Sequence, residues 1–303
     1  MNEKTKAYLA ALSFSAIIGF SFLFTKIALG YASPLTNLAH RYTIAALVLV
    51  VLHQTKLIKV SLSRKDILSI LSIPPLSLFY PLLFFIFQSF ALQYISSSEA
   101  GILQALVPIF TLLLASVFLK EKTSLLQKFF LILSVAGVVF IFFSKGANFS
   151  TETASLGFLL MLGSVLANAI NNILSKAKGG RYRAMDMTAV VIFVGFVTFN
   201  TLSLTSHYLE GNILAYVEPL GQVPYLLSIL YLGILASIVT GSLSIYAIVR
   251  LGASTVSVFG NLGTVLTILA GALILHEPIY SYHVIGATLI ISGILGMNLM
   301  RKK

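Results

Sequence analysis

Uncharged hydrogen-bonding side chains recur at helical spacing inside apolar stretches of this sequence, and they are the residues best suited to binding a solute. Ser164, Asn168, Asn171, Asn172 and Ser175 follow at three- and four-residue intervals, so most of them share one helix face. Asn168 is the deepest of these. Gln104 sits one turn from Pro108, and Asn261 lies between Gly260 and Gly263. Tyr80, beside Pro81, and Gln88 belong to another apolar stretch; Ser237, Thr240, Ser244 and Tyr246 belong to a third. An amide offers donors and an acceptor, so one Asn or Gln can bind a carboxylate, an ammonium or a hydroxyl. The competing reading is plain packing, since the same side chains bond helix to helix or return to their own backbone. Substrate contact is expected for Gln104, Asn168, Asn172, Asn261, Tyr80, Gln88 and Tyr246.

Charged groups near these stretches are few. Lys26 and Arg41 are the cations closest to membrane depth, and Glu99 is the nearest acid. They are possible charge partners at an outer mouth, where a cation would draw in a substrate carboxylate. The structural alternative has Lys26 snorkelling and Arg41 bonded to helix-end carbonyls or to Glu99. The chemistry of bond-breaking is poorly provided for. The chain has no cysteine, and its histidines, His40, His53, His207, His276 and His283, are dispersed. No paired carboxylates, HExxH or Ser/His/Asp arrangement is evident, so neither a catalytic site nor a bound metal or cofactor is expected. No charge ring or filter-like glycine segment suggests a channel.

The elements that must hold these residues are membrane helices. The chain has 303 residues, 58% hydrophobic and only 10% charged, whereas soluble domains carry about 25% charged residues. A span needs about 20 apolar residues. Helices are predicted near 7–29, 34–53, 67–94, 98–119, 124–144, 154–177, 187–207, 225–249, 253–275 and 279–300. The third holds Pro74, Pro75 and Pro81, which predicts a kink or break. With the N-terminus inside, nearly every Lys and Arg falls in a cytoplasmic loop, leaving Lys26, Arg41 and Lys145 on the outer side. That asymmetry follows the retention of positive charge inside. It also explains the formal charge of +11 without nucleic acid. Ten spans with both termini cytoplasmic are therefore expected.

Part of the sequence recurs. Residues 91–137 realign with 247–293 at a constant offset of 156. Ala91 matches Ala247, Ser98 matches Ser254, Thr111 matches Thr267, and Leu119-Lys120-Glu121 matches Leu275-His276-Glu277. An odd number of helices per half puts the copies in opposite orientations, with Glu121 cytoplasmic and Glu277 external. Inverted repeats of this kind point first to a secondary transporter. The halves are read as 1–144 and 154–303, joined by a polar linker at 145–153.

These features resemble the tandem EamA domains of the drug/metabolite transporter superfamily. The resemblance is carried by Phe24-Thr25-Lys26-Ile27-Ala28-Leu29-Gly30, Pro34, His40-Arg41-Tyr42, the segment Ala91–Glu121 with Pro108, Gly137, and the repeat of that segment at Ala253–Glu277. The chain departs from it in having no tryptophan near position 19 and no counterpart of Arg41 in the second half. The resemblance implies a multi-pass carrier of the plasma membrane, with a cavity between helices 1, 3, 4, 6, 8 and 9. It implies a small metabolite as substrate, amino acids and their relatives foremost, with export as the direction. Sugars, nucleotide-sugars or other metabolites on the same fold are the alternative. The partners expected are that solute and the lipid bilayer. Oligomeric state is left open, although Gly286, Gly293 and Gly296 permit close helix approach.

Overall fold

The computed structural model describes residues 2–58, 60, 78–118, 125–146, 152–178 and 183–299. Expectations resting on Pro74, Pro75, Glu121 and the middle of the linker lie outside these residues. Most of the described residues in the predicted windows are helical; Ala105, Leu106, Leu275, Ile279 and Tyr280 are not. Helix α1 is Glu3–Leu29 and α2 is Pro34–Gln54. The described part of α3 is a wide π-turn, Leu78–Leu83, running into Phe84–Tyr94. Helix α4 comprises Ser97–Gln104 and Val107–Phe118, interrupted just before Pro108. Then come α5, Leu125–Gly146, α6, Glu152–Lys178, and α7, Ala184–Leu209. Two short 3-10 turns, Ile213–Tyr216 and Glu218–Gly221, lead into α8. That helix runs as Val223–Leu230, a π-turn at Tyr231–Val239, and Thr240–Leu251. Helices α9, Ala253–Ile274, and α10, Ser281–Leu299, complete the chain.

Six of these helices are long and apolar enough to cross a membrane: α1, α2, α4, α6, α7 and α8. Shorter apolar helices occupy Leu78–Tyr94, Leu262–Ile274 and Ser281–Gly293. Large apolar side chains such as Leu47, Phe118, Phe143, Leu159, Phe193 and Leu273 point outward. In a bilayer that exposure costs nothing, because lipid tails replace the packing partner.

The starts of the helices follow from their sequences. Ser33 caps α2 by accepting from the Thr36 amide, with Pro34 in the first turn, where its missing N–H is not needed. Ser96 and Glu99 cap α4 reciprocally: the Glu99 amide donates to Ser96 Oγ at 3.1 Å and the Ser96 amide donates to Glu99 Oε2 at 2.9 Å.

The packing has a regular pattern. Helix α2 lies on α7, α4 on α9, and α5 on α10. Helix α1 meets α9 just as α6 meets α4, and α1 meets α8 just as α6 meets α3. Exchanging each helix with the one five places away returns the same pairs. The α1–α9 contact is close because both faces carry glycine; a Cβ on Gly19 would stand 2.8 Å from the Gly263 carbonyl oxygen.

Candidate functional site

The two ends of the bundle are built differently. At the far end, where α1 finishes and α4 begins, polar groups tie the helices together. Glu277, just past α9, sets its carboxylate on the start of α4. It accepts from the Ser97 amide at 2.8 Å, the Ser98 amide at 3.0 Å, the Ser97 hydroxyl at 2.9 Å and the Ser98 hydroxyl at 2.7 Å. A negative charge at a helix N-terminus answers both the free amides and the dipole. Gly271 makes room, since a Cβ there would collide with the Glu277 carboxylate and both serine hydroxyls. Glu99 holds the next turn, with His283 Nε2 3.6 Å from its Oε1. Lys26 Nζ donates to the carbonyls of Leu92 and Ile95 at the end of α3. Lys26 therefore ties α1 to the end of α3, rather than snorkelling to the membrane surface.

From mid-bundle toward the opposite end, where α1 starts, the helices part around a cavity of about 130 Å³. Its apolar walls include Phe14, Ile18 and Phe22 of α1, Phe84 of α3, and Ile245 and Ile248 of α8. Its polar lining draws on most of the helices: Tyr42 of α2, Tyr80 and Gln88 of α3, Gln104 of α4, Asn168, Asn171 and Asn172 of α6, Thr188 of α7, Ser237 and Ser244 of α8, and Thr264 and Thr267 of α9. No Asp, Glu, Lys or Arg lines it among the described residues.

Five of the residues expected from sequence to touch substrate thus converge on one space: Gln104, Asn168, Asn172, Tyr80 and Gln88. Their situations differ. Gln104 donates to Ser164 Oγ at 3.3 Å, so its amide also joins α4 to α6. Gln88, Asn168 and Asn171 have no hydrogen-bond partner in the protein among the described residues. Tyr80 reaches the cavity because its backbone leaves the helix, with φ −143° and ψ 119° inside the turn that contains Pro81.

Two expectations are corrected. Tyr246 does not line the cavity. Its hydroxyl donates to Glu3 at 3.0 Å, and its ring lies under Arg250, whose guanidinium carbon is 3.7 Å from the ring centroid. Tyr246 thus faces the Glu3–Arg250 pair, 3.4 Å apart near the start of α1, and not the cavity. Arg41 is not at an outer mouth and does not pair with Glu99. It is buried at mid-bundle, where Nε donates to Ser237 Oγ at 2.9 Å and Nη2 donates to the Ala236 carbonyl at 2.8 Å. The π-turn of α8 explains the site, because widening the helix frees carbonyls that a strong donor can take. The side chain of Asn261 lies outside the described residues, although Gly260 and Gly263 on either side of it line the cavity.

Sequence reasoning passed over Tyr42, Thr188, Thr264 and Thr267 as lining residues. Tyr42 adjoins Arg41 within the His40-Arg41-Tyr42 stretch, and that was its signal. Thr188 follows Asp186 at a helix start and resembles a capping residue; its hydroxyl bonds the Ala184 carbonyl.

Comparison with known proteins decides the family. Residues 5–143 and 155–299 each match the EamA-like transporter family. The chain belongs to the EamA-like transporter family. This EamA-like transporter is 44% identical over 303 residues to an uncharacterized transporter of Bacillus subtilis (strain 168), YcxC, covering all of this chain and 96% of that one. A second B. subtilis transporter, YyaM, is 28% identical over 294 residues, covering 95% and 92%. A plant relative, the WAT1-related protein At3g18200 of Arabidopsis thaliana, is 26% identical over 231 residues, covering 69% and 59%. A solved crystal structure superposes with a TM-score of 0.65 over 98% of this chain and 97% of that one, at 17% identity, which shows the shared fold. The EamA-like transporter is accordingly a multi-pass protein of the plasma membrane.

Proposed function

We propose that this EamA-like transporter is a secondary carrier that moves small metabolites by alternating access, with amino acids or related compounds as the substrate class and export as the direction. The observation that carries this reading is the set of free amides, Gln88, Asn168 and Asn171, facing one cavity at mid-bundle. A buried amide without a partner is costly, and a polar solute relieves that cost. The charge pattern of the loops supports assigning the start of α1 to the cytoplasm. On that assignment the cavity lies on the cytoplasmic side of a closed outer end, as an inward-facing carrier requires. Ten spans in two inverted halves, 1–144 and 154–303, are part of the same reading, favoured by the twofold pairing of helices.

Size bears on the substrate. A cavity of roughly 150 Å³ takes benzene, so about 130 Å³ suits an amino acid better than a nucleotide-sugar. Monosaccharides are the second reading, because hydroxyls suit amide partners equally well.

The test is uptake of a labelled amino-acid panel into proteoliposomes, with and without a pH gradient. Saturable uptake that falls in folded Asn168→Ala protein is the expected result. No uptake of any member by folded protein overturns the amino-acid reading and brings sugars forward; the effect of the gradient decides whether protons are coupled.

A further inference from the structure

Arg41 is 3% exposed, and among the described residues its bonds go only to a hydroxyl and a backbone carbonyl. A guanidinium has five N–H donors; the two described bonds use two of them. No carboxylate is within ion-pair distance of it among the described residues. The titratable groups that act on it are the phenols of Tyr42 and Tyr80. Its guanidinium carbon is 4.2 Å from the Phe85 ring centroid, a weak substitute for a counter-ion. A buried cation without an anion is expensive, and nothing else among the described residues balances this one.

The cavity lies one side chain away. Ser237, which accepts from Arg41, lines it, and so do Tyr42 and Tyr80. Neither phenol has an acceptor in the protein among the described residues. Two free O–H donors thus stand in front of an unbalanced positive charge. The remaining polar lining consists of amides and hydroxyls, with no acid to attract an ammonium. We propose that the cavity takes substrates through a carboxylate, which docks on the Tyr42 and Tyr80 hydroxyls in the field of Arg41, and that an amino group is dispensable; the Ser237 hydroxyl is already committed, donating to the Leu232 carbonyl at 2.8 Å and accepting from Arg41.

This rests on the carrier reading above and narrows its substrate class to organic acids, of which amino acids are the amino-substituted case. The rival account gives Arg41 a bracing role only, holding the π-turn of α8 through Ala236 and Ser237. A brace would fix the stability of the protein without favouring acids over their amides.

Ligands of one carbon skeleton separate the two. Thermal unfolding of the purified full chain in uncharged detergent would be followed with butyrate, L-2-aminobutyrate, butyramide and L-2-aminobutyramide, and with propionate and propionamide as a smaller pair. Stabilisation reports binding to the folded state. The expected result is stabilisation by the acids, at least tenfold weaker apparent binding of the matching amides, and loss of that preference in Arg41→Gln with partial retention in Arg41→Lys. If Arg41→Gln fails to fold, Tyr80→Phe and Tyr42→Phe should still weaken the acids and spare the amides. Amides binding as tightly as acids, or an acid preference that survives in Arg41→Gln, overturns the proposal and leaves the carrier intact. No binding by any of the six also overturns it, and uptake in the proteoliposome panel then shows independently whether the carrier reading stands.

Discussion

Glu277 accepts hydrogen bonds from four donors on two residues of another helix, so neutralising it should be felt at once. Hydrogen bonds to a charged group contribute about 1.5–3 kcal/mol, and Glu277→Gln keeps the shape while losing the charge. A fall of several degrees in melting temperature in detergent is expected, together with weaker closure of the far end. Tyr246→Phe should leave transport within about twofold of wild type, because its hydroxyl faces Glu3 rather than solute. Tyr80→Phe should raise the KM for a carboxylate substrate by roughly tenfold or more, the worth of one hydrogen bond to a charged group of about 1.5–3 kcal/mol. Uptake assays on the two variants side by side check both. At this scale the sequence was informative about residue type and less so about facing. Asn168 and Gln88 could be picked out because polar groups in an apolar helix seek the interior. Tyr246 misled because it is equally polar and lies on the same helix as Ser237. It faces instead the Glu3–Arg250 pair, formed by residues far apart in the chain. The depth of Arg41 was also out of reach, since it depends on a π-turn in α8 that the run Tyr231–Val239 does not announce.

Helix against helix, closeness is set by small residues. Gly19→Leu should separate α1 from α9 at the cavity wall, since even a Cβ would stand 2.8 Å from the Gly263 carbonyl oxygen. Overpacking of this kind costs about 1–3 kcal/mol. A lower melting temperature and a loss of uptake are expected together; a stable, fully active Gly19→Leu protein would show that the α1–α9 seam opens freely. The helices themselves were readable from the spacing of charges and turn residues. Ser33-Pro34 and Ser96–Glu99 start α2 and α4 by local capping chemistry that sequence displays directly. The distortion at Tyr80-Pro81 was announced by proline; the break in α4 ahead of Pro108 was not anticipated, since 98–119 reads as one helix. What α9 and Glu277 do for α4 was not, because a cap delivered by a residue 180 positions away leaves no local pattern.

For the molecule as a whole, the absence of cysteine makes every introduced thiol unique. Ser244→Cys, in the cavity, should react with a membrane-impermeant maleimide only from the cytoplasmic face. Asn212→Cys, between α7 and α8, should react only from outside. Labelling of both from the same face would refute the orientation. The pairing of the helices has one more implication. Helices α2, α4 and α5 each rest on their own counterpart, α7, α9 and α10, as equivalent surfaces do across the axis of a symmetric homodimer. The chain can thus be regarded as a dimer whose subunits happen to share a peptide backbone. Cut between Gly146 and Glu152 and co-expressed, the two pieces should find each other in the membrane and co-purify through a tag on either one, with the covalent link contributing proximity rather than architecture.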